Sequence, residues 1–385
     1  MNVYLDNAAT SMQKPEEVLD AMTAVMRQCN ANPGRGGYRL SLEAGRKILG
    51  VRQKVCDLFG GESVDHVVFC QNVTMALNMA IHGLVRAGDH VLISAMEHNA
   101  VYRPVVFLAE QGVITYSVIP ADGQGRTDPE DIRRLIRPET SLLVASHASN
   151  VCGTIFPLRA AAAIARDHGI TVVVDAAQTA GVLPLDMVAD GIDVLAFTGH
   201  KHLLGPTGTG GFVINDQTAS RMRPLLQGGT GSVSHLAGQP DFLPDKFESG
   251  TLNTVGLAGL GAGIDWLGAA GLDNERQREM ELTRRLLDGM KEMPRIRLYG
   301  SRDSRERTGT IAFNLDGVDN GELCYVLDEE FSIMGRPGLH CSPLGHQTLG
   351  TLPEGTMRFS VGAFTTAEEI DYVLASLQEI VEALD

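Results

Sequence analysis

An acidic and a basic residue follow two successive apolar segments in the middle of the chain. Asp175 ends the segment ITVVVD, and Lys201 comes just after the segment DVLAFT, behind Thr198 and His200 and ahead of a glycine-rich loop. A carboxylate at the carboxyl end of a buried strand lies where open α/β sheets bind ligands. Pyridoxal phosphate needs a lysine for a Schiff base, a carboxylate beside its pyridine nitrogen and donors for its phosphate. This order of residues therefore predicts a pyridoxal-phosphate site.

One of the six cysteines stands in a segment that is unusual for a structural thiol. Cys341 lies in GRPGLHCSPLG, among glycines and prolines and directly after His340. Structural cysteines are mostly buried in apolar surroundings, where the thiol acts as a small hydrophobe. A nearby cation or imidazole raises the thiolate fraction of a thiol, and His340 and Arg336 are candidates for that effect. Packing is the expected role of the other cysteines, which are Cys29, Cys56, Cys70, Cys152 and Cys324.

The segments around these residues alternate between apolar runs and helical patterns. The runs are HVLISA, VITYSVI, SLLVAS, ITVVVDAA, DVLAFT and GGFVI. Continuous apolarity is typical of strands that are buried on both faces, as in a mainly parallel sheet covered by helices. Between the runs, Asp128 and Pro129 mark a helix start and Gly169 marks a helix end. The predicted fold class is α/β.

The alternation of strand and helix patterns loosens after about Gly256. The chain ends in a helical pattern that starts with a capping box formed by Thr366 and Glu369. We expect a large cofactor-binding domain over residues 15–254, and a smaller α+β domain made of residues 1–14 and 255–385. Two domains without a linker between them should share a cleft.

The composition narrows the classes of partner. The 385 residues are 44% hydrophobic and carry a formal net charge of −15, which argues against nucleic acid or an anionic membrane as the main partner. No segment has the length and apolarity of a membrane span or a signal peptide, so we expect a cytoplasmic protein. The cysteines form no C-x-x-C pair, so neither a metal site nor a disulfide framework is predicted.

A set of ordered motifs resembles one enzyme family. The motifs are DNAAT, EHNA, SNVCGT, VDAAQ, TGHK, GPTGTGG, FESGTLNT and the C-terminal G-L-H-C, and the resemblance runs from Tyr4 to the C-terminus. They resemble the fold type I pyridoxal-phosphate enzymes of aminotransferase class V, above all the cysteine desulfurases and selenocysteine lyases. The Cys341 loop is similar to the shorter, ordered loop of one desulfurase group. It reads R-P-G-L-H-C where desulfurases have R-T-G-H-H-C.

The resemblance implies a role for each residue that matches a family motif. Lys201 would hold the cofactor and move the α-proton of the substrate. Asp175 would pair with the pyridine nitrogen, and His98 would lie over the ring. Gln178 and Asn150 would lie near the ring hydroxyl, and Asn150 also near the substrate. As a lone residue, His98 is more typical of a satisfied loop histidine.

The resemblance also implies how the phosphate is held. Thr74 and the backbone at Val73, at the start of a helix, would bind it together with Thr198 and His200. The family loop is commonly G-T-T-E-A or G-A-T-E-S, from which Asn72, Val73 and Met75 depart. Thr251 matches a residue that reaches the cofactor of the other subunit, so the resemblance implies a homodimer. On sequence grounds Thr251 is equally compatible with a helix N-cap.

For the substrate, the resemblance implies an amino-acid carboxylate bound by Arg358, with Arg336 and Arg35 around the cleft. Arginine suits this role because its planar fork binds a carboxylate through two hydrogen bonds. The implied reaction removes sulfur from cysteine, leaving alanine and a persulfide on Cys341. Selenocysteine is an alternative substrate, and a protein could accept the sulfur.

Two other functions stay open on sequence grounds. The chain could be a class V β-lyase, epimerase or aminotransferase in which Cys341 is incidental. Alternatively, GPTGTGG could be a phosphate loop of a nucleotide-binding module, although it lacks the G-K-[ST] ending of a P-loop. A protein of the second kind would be colourless, whereas a Schiff base with Lys201 would absorb visible light.

Overall fold

The computed structural model describes residues 1–29, 31–33 and 36–384. The strands in these ranges are β1 (Val3–Tyr4), β2 (Val67–Cys70), β3 (His90–Ser94), β4 (Thr115–Ile119), β5 (Thr140–Ser146), β6 (Thr171–Asp175), β7 (Val194–Thr198), β8 (Gly210–Ile214), β9 (Ile296–Tyr299), β10 (Thr310–Leu315), β11 (Ile333–Met334), β12 (Arg336–Gly338) and β13 (Thr356–Ser360). The α-helices are α1 (Glu16–Gln28), α2 (Arg39–Leu58), α3 (Val73–Leu84), α4 (Asn99–Glu110), α5 (Pro129–Leu135), α6 (Leu158–Asp167), α7 (Asp216–Arg221), α8 (Thr254–Ala270), α9 (Leu272–Lys291), α10 (Asn320–Phe331), α11 (Pro343–Leu349) and α12 (Ala367–Glu382). Arg35, predicted near the cleft, lies outside the described residues.

The largest sheet has seven strands in the order β2-β8-β7-β6-β5-β3-β4. Strands β3 to β7 run parallel to one another, and β8 is antiparallel to both β7 and β2. Every residue of β3, β6, β7 and β8 is buried, because helices cover both faces of the sheet. The predicted α/β class with a mixed, mainly parallel sheet is confirmed.

Three helices begin or end at the residues that the sequence predicts. Asp128 accepts a hydrogen bond from the Glu130 amide (3.0 Å) at the start of α5. Gly169, after α6, has a φ of 68°, a conformation that favours glycine. Thr366 and Glu369 form the capping box of α12. Within the described ranges no single helix has the length and apolarity to cross a bilayer; α8 and α9 meet that criterion only together, across an 81° bend.

A second, antiparallel sheet has the order β12-β13-β10-β9. The N-terminal strand β1 pairs with β11, so the first residues of the chain join its C-terminal part. Val3 and Leu5 share a core with α9, α10 and α12. Helix α8 packs on α1 and α2, and its buried leucines belong to a core of the large sheet. The division of the chain at residues 14 and 254 stays a prediction.

The strand ends of the large sheet position the candidate site. Four neighbouring parallel strands, β3, β5, β6 and β7, end in Ser94, Ser146, Asp175 and Thr198. Because the carboxyl ends of parallel strands share one edge, the loops that follow these strands meet there. These strand ends and loops together carry most of the residues predicted to bind the cofactor.

Candidate active site

Lys201 and Asp175 form an electrostatic pair at this edge. Asp175 is buried, and its Oδ1 accepts a hydrogen bond from the Ala177 amide (2.9 Å). Burial raises the pKa of Asp175, although the hydrogen bond and Lys201 oppose the rise. Burial also lowers the pKa of Lys201 to about 8, against the influence of Asp175. A fraction of the Lys201 amine is therefore neutral near physiological pH, as a nucleophile or base requires.

The N-terminal segment braces the loop that carries Lys201. The carbonyl of His200 accepts hydrogen bonds from the Thr10 hydroxyl (3.1 Å), the Ser11 hydroxyl (3.1 Å) and the Lys14 ammonium (3.0 Å). The Ser11 hydroxyl also lies 2.9 Å from the Lys201 carbonyl. This wall of the site was not predicted, although its first residues belong to the DNAAT motif.

His98 lies at the start of α4, on the loop after β3. Its Nδ1 accepts a hydrogen bond from the Ala100 amide (3.0 Å), which leaves the proton of the neutral ring on Nε2. Burial, reinforced by Lys201 and Arg358, lowers the pKa of His98 to about 4. The imidazole is therefore uncharged at neutral pH, and a flat neutral ring suits stacking on an aromatic cofactor.

Four buried polar atoms of predicted site residues lack a hydrogen-bond partner among the described residues. They are Asn150 Oδ1, Gln178 Oε1, Thr198 Oγ1 and Arg358 Nε. An unmet buried polar group costs about 1–3 kcal/mol, so such a group signals a missing partner. Asn150 and Gln178 are each oriented by their amide NH₂ group, which donates to the His340 carbonyl (2.7 Å) and the Ala8 carbonyl (3.0 Å). These unmet groups fit pyridoxal phosphate and an amino acid, which offer a hydroxyl, a phosphate and a carboxylate.

The predicted phosphate site lies at the start of α3. Asn72 caps this helix by accepting a hydrogen bond from the Met75 amide (3.0 Å). A residue that departs from the family loop therefore serves as the helix cap. The amides of Val73 and Thr74 make no hydrogen bond to the described residues, and Thr74 is exposed. Free amides at a helix N-terminus favour an anion. The free amides of Val73 and Thr74 are compatible with a phosphate site, and phosphate binding by Val73, Thr74, Thr198 and His200 stays a prediction.

Thr251 is exposed and lies on the loop before α8, where its hydroxyl is 3.5 Å from Asn32 Nδ2. It is not the N-cap of α8, because Asn253 takes that position and accepts from the Gly256 amide (2.9 Å). Of the two interpretations open on sequence grounds, the N-cap is wrong. Contact with a second subunit stays a prediction.

An acidic residue that sequence reasoning missed organises the predicted substrate arginines. Asp6 accepts from Arg358 Nη2 (2.6 Å) with one oxygen, and from Arg336 Nε (2.9 Å) with the other. Arg358 is buried and also donates to the Asn150 carbonyl (2.9 Å). Its Nε–H has no partner among the described residues, and substrate binding by Arg358 stays a prediction. The available signal was the aspartate of DNAAT, to which we assigned no role.

The Cys341 loop has a left-handed backbone. His340 and Cys341 have φ angles of 47° and 57°, which are uncommon for residues other than glycine. The loop is tied to the site, because the Cys341 carbonyl accepts from the Asn99 amide (2.7 Å) and the His340 carbonyl accepts from Asn150. The Cys341 side chain is exposed and borders a cavity of about 480 Å³ beside α4.

His340 is one of the two residues that we predicted to influence the Cys341 thiol. Burial, with Arg358 close by, lowers the pKa of His340 to about 2, so the ring is neutral. Its Nε2 lies 3.1 Å from the Thr356 carbonyl, to which it donates. The other candidate, Arg336, is paired with Asp6. A buried imidazole loses its proton, so His340 is not a cation here, and an effect of His340 or Arg336 on the Cys341 thiol stays a prediction.

A family model and relatives of known name match nearly the whole chain. The model of the aminotransferase class-V family matches residues 3–373. The chain belongs to this family. It is thus a pyridoxal-phosphate-dependent enzyme. A protein of Methanothermobacter thermautotrophicus named probable cysteine desulfurase is 36% identical over 98% of this chain and 94% of its own length. A cysteine desulfurase of Salmonella agona is 36% identical over 98% of this chain and 93% of its own.

Solved structures of the same fold extend the comparison. An apo cysteine desulfurase from Thermococcus onnurineus NA1 superposes with a TM-score of 0.94 at 32% identity, covering 99% of this chain and 95% of that one. The cysteine desulfurase CsdA of Escherichia coli gives 0.89 at 28% identity, with the same coverage. Fold type I is therefore confirmed for this family member.

Proposed function

We propose that this enzyme is an L-cysteine desulfurase, which converts cysteine to alanine and leaves a persulfide on Cys341. The observation that carries the proposal is the exposed thiol on a loop tied to the site of Lys201 and Asp175, through Asn99 and Asn150. A thiol that only packs would be buried. The names of the relatives and of the structural neighbours support the same reaction.

The protein's part in the first half of the reaction follows from the charges at the site. Pyridoxal phosphate, when bound, supplies an electron sink for the substrate α-carbon. Asp175 would keep the pyridine nitrogen protonated. Arg358 would bind the substrate carboxylate, and Lys201, with a pKa of about 8, would take the α-proton and return it.

The second half of the reaction belongs to Cys341. Its thiolate would attack the substrate sulfur, forming a sulfur–sulfur bond while the carbon–sulfur bond breaks. The electron pair of that bond stays with the carbon, which takes up a proton and becomes the methyl group of alanine. The products are one alanine and one Cys341 persulfide per cysteine. A thiol reductant or an acceptor thiol then removes the persulfide sulfur as sulfide or as a new persulfide.

The surface beside Cys341 suits a protein acceptor of sulfur. The cavity next to the thiol is lined by apolar and aromatic side chains of α4 and the loop, including Tyr102, Val106, Phe107 and Leu339. Phe107 is 54% exposed, a large fraction for an aromatic side chain. A partner thiol delivered on an apolar protein surface could reach Cys341 here.

A homodimer is the second part of the proposal. Helices α1 and α2 expose large apolar side chains: Leu19, Met26, Leu42 and Leu49 are at least 50% exposed. Surfaces of this kind mark protein interfaces. The exposed Thr251 supports a second subunit that completes the site. Light scattering should give twice the mass of one chain, and the mass of a single chain would contradict the dimer.

A cytoplasmic location completes the proposal. All six cysteines are free. Free thiols, and a persulfide on one of them, persist in a reducing compartment. Fractionation of cells that express the protein would test this, and recovery outside the cytoplasm would contradict it.

The decisive experiment compares L-cysteine and L-selenocysteine turnover with a thiol reductant present. We expect alanine and sulfide in equal amounts from L-cysteine, and without reductant a mass increase of one sulfur on the Cys341 peptide. Cys341→Ser should abolish the persulfide and slow alanine release from cysteine by roughly 10²-fold, about 2.7 kcal/mol in activation free energy. Cys324→Ser serves as the matched control.

Two outcomes would contradict the desulfurase proposal. Full alanine release by Cys341→Ser would mean that the thiol is incidental, as in a β-lyase. A large preference for selenocysteine without a persulfide on Cys341 would instead indicate a selenocysteine lyase.

A further inference from the structure

Glu97 is a buried carboxyl group that joins two strand ends of the large sheet. Its Oε1 accepts hydrogen bonds from the Ser94 hydroxyl and from the Ser146 amide (2.8 Å), and its Oε2 accepts from the Ser146 hydroxyl (2.7 Å). Ser94 ends β3 and Ser146 ends β5, where Ser146 is the register partner of Asp175. The Glu97 side chain thus connects the loop after β3 to the end of β5, which lies beside Asp175.

The backbone around Glu97 also holds the Cys341 loop. The Glu97 carbonyl accepts from the Ser342 hydroxyl (2.8 Å), and the Asn99 amide donates to the Cys341 carbonyl (2.7 Å). Residues 97–99 thus contact both Cys341 and the residue after it, while His98 stands between the two contacts. Because Cys341 has a positive φ, its conformation depends on such external contacts.

We propose that Glu97 is a positioning residue that fixes the Cys341 loop relative to the cofactor site. The inference rests on the proposed function only where it concerns the thiol's reaction. Among the described residues, Glu97 alone combines two sets of contacts. Its carboxylate accepts hydrogen bonds from Ser94 and Ser146, at the ends of β3 and β5. Its backbone carbonyl accepts one from Ser342, the residue after Cys341.

The hydrogen bonds decide which substitutions test the inference. Glu97→Ala leaves the Ser146 amide and both hydroxyls without their acceptor. Glu97→Gln keeps one oxygen for Ser94 and the Ser146 amide, and its NH₂ group can donate to the Ser146 hydroxyl. Burial, with Asp175 nearby, raises the pKa of Glu97 to about 7, so an uncharged side chain is tolerable here. Geometry, rather than charge, is therefore the property to be tested.

The experiment measures amide hydrogen exchange by mass spectrometry on the holoenzyme. We expect the peptides covering residues 97–102 and 339–346 to exchange about tenfold faster in Glu97→Ala, since each lost buried hydrogen bond costs about 1–3 kcal/mol. Ser342→Ala should accelerate both peptides, and Glu97→Gln should stay within about threefold of the wild type in both. Persulfide formation on Cys341 in a single turnover should slow about tenfold in Glu97→Ala and recover in Glu97→Gln.

Asp190→Ala is the matched control. Asp190 is a buried carboxyl group bonded to Arg159 (2.5 Å) and the Asp186 amide (2.9 Å), on the chain before β7. The loss of Asp190 should lower global stability. The exchange rates of peptides 97–102 and 339–346, relative to those of peptides from the large sheet, should not change.

Three results would overturn the inference. One is unchanged exchange of residues 339–346 in Glu97→Ala, and another is Glu97→Gln behaving like Glu97→Ala. If Glu97→Ala does not fold, unchanged exchange of residues 97–102 in Ser342→Ala decides against it. The exchange result does not need desulfurase activity, so it stands even if Cys341→Ser shows that the proposed function fails.

Discussion

The two halves of the candidate site are built in opposite ways. Asp175 and Lys201 lie at the ends of neighbouring strands of a parallel sheet, where every residue of β6 and β7 is buried. Cys341 stands on a short left-handed loop between β12 and α11, and its side chain is exposed. The first half is held by the core of the large sheet, whereas the second is held by a few hydrogen bonds.

This difference matches the two kinds of chemistry that we propose. Moving a proton at the α-carbon needs shifted pKa values, and burial at strand ends shifts the pKa of Lys201 to about 8 and raises that of Asp175. A thiol that passes sulfur to another molecule must instead be reachable from solvent. The loop satisfies that need, and the contacts through Asn99 and Asn150 keep it beside the buried half.

The largest effect is expected from substitution of Lys201, which should impair the chemistry of the buried half and leave the Cys341 loop unchanged. Lys201→Ala should lower the rate of alanine formation from L-cysteine by about 10²–10⁴-fold, because it removes the base. Alkylation of Cys341 by iodoacetamide should stay within about twofold of the wild type, since the loop keeps its hydrogen bonds. Alanine assays and mass spectrometry of the alkylated peptide measure both. A large change in alkylation would show that the two halves are not independent.

The buried half was the more predictable from sequence. A sheet covered on both faces requires continuous apolar strands, so ITVVVD and DVLAFT marked the strands that place Asp175 and Lys201. Local hydrogen bonds likewise made the caps at Asp128 and Thr366 readable. These features depend on residues that are neighbours along the chain or that share one periodic pattern.

The exposed half depends on contacts that sequence spacing does not encode. Asp6 meets Arg358 across 352 positions, and Glu97 reaches Ser146 across 49. His340 was predicted to influence the Cys341 thiol, but the charge of His340 depends on a burial that only the folded chain reveals. Motifs located the thiol, whereas what holds and surrounds it required the structure.

A smaller effect is expected at Asp6, which accepts hydrogen bonds from both Arg358 and Arg336. Asp6→Asn keeps one acceptor oxygen, so one of its two arginine contacts loses a charge-assisted hydrogen bond. Such a bond contributes about 1.5–3 kcal/mol, and we expect the KM for L-cysteine to rise at least about tenfold while kcat changes little. Steady-state kinetics measure both.

Asp316→Asn provides the control for Asp6→Asn. Asp316 pairs with Arg297 (3.3 Å) on the surface, where both side chains are more than half exposed. An exposed pair contributes little, so its KM should equal that of the wild type. An unchanged KM in Asp6→Asn would mean that Arg358 is held without Asp6.

The smallest expected effect tests the buried half alone, in the protein stripped of cofactor. Lys201 has a pKa of about 8 in the folded chain, against an ordinary value of 10.5. Between these values the unfolded chain binds more protons, so the free energy of unfolding rises with pH over this interval. Below pH 8 the cost of burying the ammonium is fully present.

Lys201→Met removes that cost, because its side chain carries no charge. The apoprotein variant should be more stable than the wild type at pH 7, by roughly 1–2 kcal/mol after allowing for partial solvent screening. The gap should shrink as pH rises from 8 towards 10.5. Urea unfolding at several pH values measures it, with Lys47→Met, at an exposed lysine, as the control. If the difference in unfolding free energy between Lys201→Met and the wild type does not change with pH, packing and not the buried charge of Lys201 causes that difference.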